Sequence, residues 1–170
     1  MTRFGFVITT SAATLFVVMT SVFHPAPKLL WNASASVPIG LYAVRSALPL
    51  RVGELVVIMP PQPLAQFFAA RRDLPLGVPL VKHVLALCGQ TVCRDGRAIT
   101  VDGVTVGEAL EHDRLGRALP DWQGCRALAP DEVFVMNVVP PDSLDGRYFG
   151  PLPVTTIVGR ADPLWTREEN

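Results

Sequence analysis

Asn32-Ala33-Ser34-Ala35-Ser36-Val37-Pro38-Ile39-Gly40-Leu41-Tyr42 follows a long apolar segment and precedes the first strand-like runs of this 170-residue chain. Two serines stand two residues apart, just ahead of Pro38 and Gly40. Pro38 fixes its own φ and pushes Val37 towards extended geometry, while Gly40 permits a tight bend or a close backbone approach. A small side chain on such a turn can present its hydroxyl and a neighbouring N–H to one point, as a serine nucleophile requires. The same composition also suits a linker between an anchor and a domain, because short Ser-Pro stretches are common loop punctuation. On these residues alone the linker is the simpler account.

Upstream, Phe4 to Phe23 is a run of 20 residues without a charge, the length a helix needs to cross hydrocarbon. Arg3 precedes it, and the positive-inside rule then leaves Met1 in the cytoplasm and the rest outside. A cleaved signal peptide is the rival, with Ala33-Ser34-Ala35 as a small-residue cleavage site. That site lies too far beyond the apolar run, so an uncleaved signal anchor is the better reading. His24-Pro25-Ala26-Pro27 ends the helix as a stiff spacer, and Leu29, Leu30 and Trp31 suit the membrane interface.

The chain is long enough for one domain plus an anchor. Its formal net charge is zero, which removes the electrostatic case for a nucleic-acid partner. Sixteen prolines argue against a helical bundle and for short strands with irregular connections, so the class is mainly β.

Downstream, Gly40 to Arg45 reads as a strand and Glu54 to Met59 as a buried one ended by Pro60-Pro61. Leu64 to Arg72 reads as a short helix with Leu64, Phe67 and Phe68 on one face. Leu80-Val81-Lys82-His83-Val84-Leu85-Ala86-Leu87 is the next strand, and period two puts Lys82 on a face with Leu80, Val84 and Ala86. A lysine there either snorkels from a strand edge or is buried for a reason. Burial would lower its pKa and let it accept a proton near neutral pH. His83 faces the other way and reads as structural or surface rather than as a base. Arg94-Asp95-Gly96-Arg97 and Val101-Asp102-Gly103-Val104 are hairpin signals. Glu108 to Pro120 reads as a solvated excursion, and His112 within it has no metal-ligand spacing. Val133 to Met136 is a core strand, Pro140 to Gly150 is turn-rich, Val154 to Ala161 closes the sheet, and Arg167 to Asn170 is a frayed tail.

Cys88, Cys93 and Cys125 make an odd count, so outside the cytoplasm one pair can oxidise and one thiol is left over. Cys93–Cys125 is the preferred pairing, tying the base of the hairpin excursion to the start of the next core strand. Cys88–Cys93 is the runner-up. No Cys/His set stands at metal spacing, and nothing calls for a cofactor.

With Ser36, Lys82 and the Ser143–Gly150 segment together, the chain resembles the signal peptidase I superfamily of Ser/Lys proteases, and within it the TraF-type conjugative transfer peptidases. The likeness covers Asn32 to Trp165. Ser34 to Tyr42 looks like the nucleophile box in the Ser-x-Pro-x-Gly-Leu-Tyr form of the conjugative branch. Val81-Lys82-His83-Val84 looks like the general-base box, and Asp142 to Gly150 like the C-terminal box. The resemblance implies a signal-peptidase-like complex β-fold behind an N-terminal transmembrane helix. Residues 1–28 would form the cytoplasmic tip, anchor and spacer. Residues 29–170 would form the peptidase domain, with a hairpin-rich excursion over 91–130.

It further implies Ser36 as nucleophile and Lys82 as its base. Ser34 would share the oxyanion with the Ser36 N–H, Ser143 would orient the lysine, and Asp145 and Arg147 would form a supporting ion pair. Two departures stand out: Cys88-Gly89-Gln90 where the family commonly has Pro-Gly-Asp, and Gly146 for a frequent serine. The implied protein is a single-pass enzyme of the bacterial inner membrane with its catalytic domain in the periplasm. Its partners would be the lipid bilayer and an exported, propilin-like precursor that it cuts and in some relatives cyclises. The alternatives are a housekeeping leader peptidase and a non-catalytic anchored assembly module of a secretion system. Substrate identity, cleavage sequence and oligomeric state have no signature in the chain.

Overall fold

The uncharged N-terminal run is helical, as its length and composition predict: α1 spans Arg3–Val22. Phe4, Phe6, Val7, Leu15, Phe16 and Val17 are all exposed, so apolar surface faces outward along the helix, and length and composition suit a membrane span. The threonines do not disqualify it. Thr9 Oγ1 donates to Gly5 O at 2.8 Å, Thr10 Oγ1 to Phe6 O at 3.0 Å and Thr14 Oγ1 to Thr10 O at 2.9 Å, which satisfies each hydroxyl inside the helix. The computed structural model describes residues 3–22 and 28–167. The Met1 tip, the His24 to Pro27 spacer and Glu168-Glu169-Asn170 lie outside the described residues.

Among the described residues eleven strands follow: β1 (Leu29–Asn32), β2 (Gly40–Arg45), β3 (Leu55–Ile58), β4 (Leu80–Ala86), β5 (Thr91–Asp95), β6 (Ala98–Val101), β7 (Val104–Glu108), β8 (Gly124–Ala127), β9 (Glu132–Val135), β10 (Leu152–Pro153) and β11 (Ile157–Thr166). Two helices join them, α2 (Gln62–Arg71) and α3 (Gly146–Phe149). The strands form a seven-stranded sheet in the order β1-β2-β11-β3-β4-β9-β10 and a four-stranded sheet in the order β7-β6-β5-β8. The small sheet is inserted between β4 and β9, where the two hairpin signals fall.

Three expectations change, and a fourth holds with a different placement. Leu29, Leu30 and Trp31 belong to β1, which pairs with β2, and the exposed Trp31 ring stacks on Trp165 of β11 with centroids 5.8 Å apart. The last strand does not close the sheet: β11 lies inside it between β2 and β3, with a register shift between Pro163 and Trp165, because proline has no N–H for the ladder. The Glu108 to Pro120 segment is not merely solvated. Arg71 of α2 pairs with Asp113, and Arg117 pairs with Asp73, so opposite charges on the two segments fasten this loop onto the end of α2. The preferred Cys93–Cys125 disulfide is present, but it lies within the small sheet, between β5 and β8, rather than reaching a core strand. Cys88 is free and exposed.

The core follows from strand burial. Val56, Ile58, Val84, Val133 and Val135 fill one face of the central strands, and Val57, Val81, Tyr42 and Val44 pack with Val37 on the other. Ala86, Val92, Ile99, Phe134 and Tyr148 join the two sheets. Gly40 begins β2 where a Cβ would lie 2.1 Å from Trp165 O, so only glycine lets β2 approach β11 there.

Candidate active site

The Ser34 to Tyr42 box becomes a tight turn organised by Asn32, a residue to which no motif points. Asn32 is buried at the end of β1, and its Nδ2 donates to Ser34 O at 2.8 Å, Val37 O at 3.1 Å and Pro38 O at 3.2 Å. Its Oδ1 therefore faces Ser34, accepting from the N–H at 3.2 Å and from Oγ at 3.0 Å. Tyr42 adds a hydrogen bond from its hydroxyl to Pro38 O at 2.6 Å. Ser34 Oγ and Ser36 Oγ are 3.1 Å apart. Because the Ser34 proton is directed to Asn32, Ser36 is the donor in that pair, and Ser34 must release Asn32 before it can donate to anything else.

Lys82 lies opposite Val56 on β4, flanked by β3 and β9, so a snorkelling edge position is ruled out by the topology. It is 2% exposed. Burial takes the amine from its ordinary 10.5 down to about 8, and nearby Arg147 acts in the same direction while Asp145 and Asp142 oppose it. Its Nζ donates to Ser143 Oγ at 2.7 Å. His83 turns to the other face and is half-buried, with Nδ1 3.0 Å from Asn137 Oδ1.

The C-terminal box wraps around a buried ion pair. Asp145 caps α3, accepting from Arg147 N at 3.2 Å, and its carboxylate receives Arg147 Nε at 2.9 Å and Nη2 at 2.8 Å. Arg147 spends its remaining donors on Asn137 O at 2.5 Å, Pro141 O at 2.9 Å and Pro140 O at 3.2 Å, so neither charge is left unsolvated. Arg94 of the small sheet is also buried and donates to Arg147 O at 2.7 Å. The Gly146 departure has a steric cause: a Cβ there would lie 2.6 Å from the Phe134 ring and 2.7 Å from Val135 O. The other departure is a turn closed by side chains, since Gln90 Oε1 accepts from Leu87 N at 3.0 Å and Gln90 Nε2 donates to Asp102 at 2.9 Å.

Ser34, Ser36, Lys82 and Ser143 line one cleft of about 430 Å³, with Phe68, Leu74, Leu80 and Leu144 as apolar walls. A second recess of about 360 Å³ shares Ala35, Ser36 and Pro140 and continues to Thr166 and Arg167, so Ser36 stands where two recesses meet. Asp145 and Arg147 are not among the residues lining the cleft, nor are Cys93 and Cys125. Among the described residues no three His, Cys, Asp or Glu side chains are grouped to hold a metal ion. Sequence reading missed Asn32 and Asn137. Both are buried amides that bond to backbone, a role with no motif of its own.

The family described as signal peptidase, peptidase S26, matches residues 1–165. The probable conjugal transfer protein TraF of Sinorhizobium fredii (strain NBRC 101917 / NGR234) is 35% identical over 145 residues, covering 79% of this chain and 76% of that protein. A plasmid transfer protein TraF of Escherichia coli is 33% identical over 132 residues, covering 71% and 73%. The conjugal transfer protein TraF of Agrobacterium fabrum (strain C58 / ATCC 33970) is 35% identical over 147 residues, covering 79% and 81%. A signal peptidase I of Enterococcus faecalis V583 aligns in three dimensions with a TM-score of 0.37 and 18% identity, over 65% of this chain and 94% of that one. The family model spans α1, the serine turn, the lysine strand and the C-terminal box, and the chain belongs to the peptidase S26 family of signal peptidases.

Proposed function

We propose that this protein is a membrane-anchored serine endopeptidase that cuts an exported precursor through a Ser36/Lys82 dyad. The observation that carries the reading is a sealed lysine, with its amine brought down to about 8, in the same cleft as a serine on a built turn. Such a lysine has a substantial neutral fraction near pH 8 and can act as a general base. An extended substrate would lie along the cleft as an added strand, with small side chains in its shallow apolar walls.

Ser36 Oγ attacks the scissile carbonyl as its proton passes to Lys82 Nζ. The tetrahedral oxyanion takes the Ser36 N–H, together with the Ser34 hydroxyl once that has left Asn32. Lys82 then returns the proton to the leaving amine as the C–N bond breaks, and Ser36 holds the acyl group as an ester. A water then attacks the ester carbonyl while giving a proton to Lys82, the bond to Ser36 Oγ breaks, Lys82 returns that proton to Oγ, and the acid leaves. If the substrate's own amino terminus attacks instead, the chain closes into a ring. Before the first step, Lys82 must swing part of its hydrogen bonding from Ser143 to Ser36, and Ser36 must leave Ser34.

The conjugal transfer relatives support a propilin-like substrate, and Arg3 ahead of α1 supports a periplasmic catalytic domain. Co-expression of Ser36→Ala and Lys82→Ala variants with the candidate pilin precursor tests the reading. Processing is expected to stop in both; unchanged processing in both would rule out the dyad and leave an assembly role. A product lighter by one water than the cut linear chain would identify ring closure.

A further inference from the structure

We propose that Asn137 is a positioning residue that clasps the nucleophile turn to the lysine strand; this rests on the Ser36/Lys82 reading above. Asn137 follows β9 and is 1% exposed. Its orientation is fixed by its neighbours. The backbone N–H of His83 can only donate, and it reaches Asn137 Oδ1 at 3.0 Å. The amide nitrogen therefore faces the other way, donating to Ser36 O at 2.7 Å and Val81 O at 3.4 Å. His83 Nδ1 also lies 3.0 Å from Oδ1, so that ring nitrogen carries the proton.

One side chain is thus bonded to the nucleophile residue and to both chain neighbours of Lys82. Among the described residues no other side chain hydrogen-bonds to both the serine turn and β4. The clasp is itself held from behind, because Asn137 N donates to Asp145 Oδ2 at 3.0 Å and Asn137 O accepts from Arg147 at 2.5 Å. The buried ion pair accordingly acts on the dyad through Asn137. It also gives His83 a task, since its ring steadies the amide from the face opposite Lys82.

The consequence is geometric. In the resting state Ser36 and Lys82 hydrogen-bond to Ser34 and Ser143, so proton transfer needs a short, directed approach of two groups from separate segments. Releasing the turn by about 1 Å is enough to cost up to about 100-fold in rate, while the cleft walls that bind substrate stay in place.

The test uses the full chain in detergent with the p-nitrophenyl ester of N-acetyl-alanine, rates being divided by the folded fraction from cooperative unfolding. Asn137→Ala deletes the clasp, and Asn137→Asp keeps its shape but turns an oxygen towards two carbonyls. Both are expected to lower kcat at least about tenfold with KM within about twofold, and to leave the acid limb of the rate where it was. His83→Ala keeps the backbone bond to Asn137 and is expected to lose about fivefold, the worth of one hydrogen bond. A folded Asn137→Ala enzyme with wild-type kcat overturns the proposal. If neither Asn137 variant folds, wild-type kcat in His83→Ala overturns it. Ser36→Ala is the control: if it still hydrolyses the ester at the wild-type rate, the dyad reading itself has failed, whatever the Asn137 variants do.

Discussion

Ser143 Oγ accepts a hydrogen bond from Lys82 Nζ at 2.7 Å, and both groups are nearly sealed from water. A buried amine with one fixed partner has one preferred direction, and Lys82 and Ser143 both line the cleft they share with Ser36. Ser143→Ala removes the partner without removing the base. Steady-state turnover should fall about 10- to 100-fold, the worth of one hydrogen bond to a charged group, with KM little changed. Turnover equal to wild type would mean that Ser143 does not aim the lysine.

The lowered amine predicts two pH effects with opposite uses. Activity needs neutral Lys82, so kcat/KM for the ester should rise with pH, reach half its plateau near pH 8 and show a slope of one on the acid side. Stability follows from linkage. The unfolded lysine keeps its proton up to about 10.5 and the folded one only to about 8, so across that window the unfolded chain binds more protons and stability rises with pH. Below about 8 the buried ammonium destabilises the fold by roughly 3 kcal/mol. Denaturant unfolding of Lys82→Met should show a gain of that order at pH 7 that disappears towards pH 10.5. A variant no more stable than wild type at pH 7 would contradict the desolvation argument.

Arg147 and Asp145 are fully buried, and each satisfies the other. Arg147→Ala leaves a carboxylate in the core without its cation, and should lower the unfolding free energy by about 3–5 kcal/mol. Chemical denaturation measures this directly. A loss below about 1 kcal/mol would place the pair among exposed, weak ion pairs.

The arrangement was legible where chemistry forces residue type and spacing together. Ser36, Lys82 and Ser143 could be named together only through the resemblance to the Ser/Lys peptidases: alone, the serine turn suited a linker and Lys82 a strand edge, and it is the fold that brings all three to one cleft. The central strands were legible because Val56-Val57-Ile58 and Val133-Phe134-Val135 are buried on both faces. β8 was not, since Gly124-Cys125-Arg126-Ala127 is exposed throughout and shows no alternation. β1 is a four-residue edge strand whose apolar side chains also suit a membrane interface. Asn32 and Asn137 were hidden for another reason: each bonds chiefly to backbone groups brought near by the tertiary fold, and no local pattern encodes that. The central position of β11 is equally non-local, because pairing partners are chosen by topology rather than by the strand's own sequence.

The disulfide closes a loop between residues 32 apart and joins neighbouring strands of the small sheet. Replacing both Cys93 and Cys125 by Ser should cost about 3–4 kcal/mol on the loop-closure estimate. The loss should register as a lower melting temperature of the purified protein under oxidising conditions, and reductant should lower the wild type to match. No difference between the two proteins would mean that the bond adds nothing to a sheet already held by its hydrogen bonds.

The central claim is that Ser36 carries the acyl group during turnover. Rapid acid quench of the enzyme with its precursor substrate, followed by peptide mass measurement, tests it most directly. The account predicts an ester-linked adduct on the peptide containing Ser36, absent from Ser36→Ala and strongly reduced in Lys82→Ala. An adduct on another residue, or the same product formed at the same rate by Ser36→Ala, would contradict it.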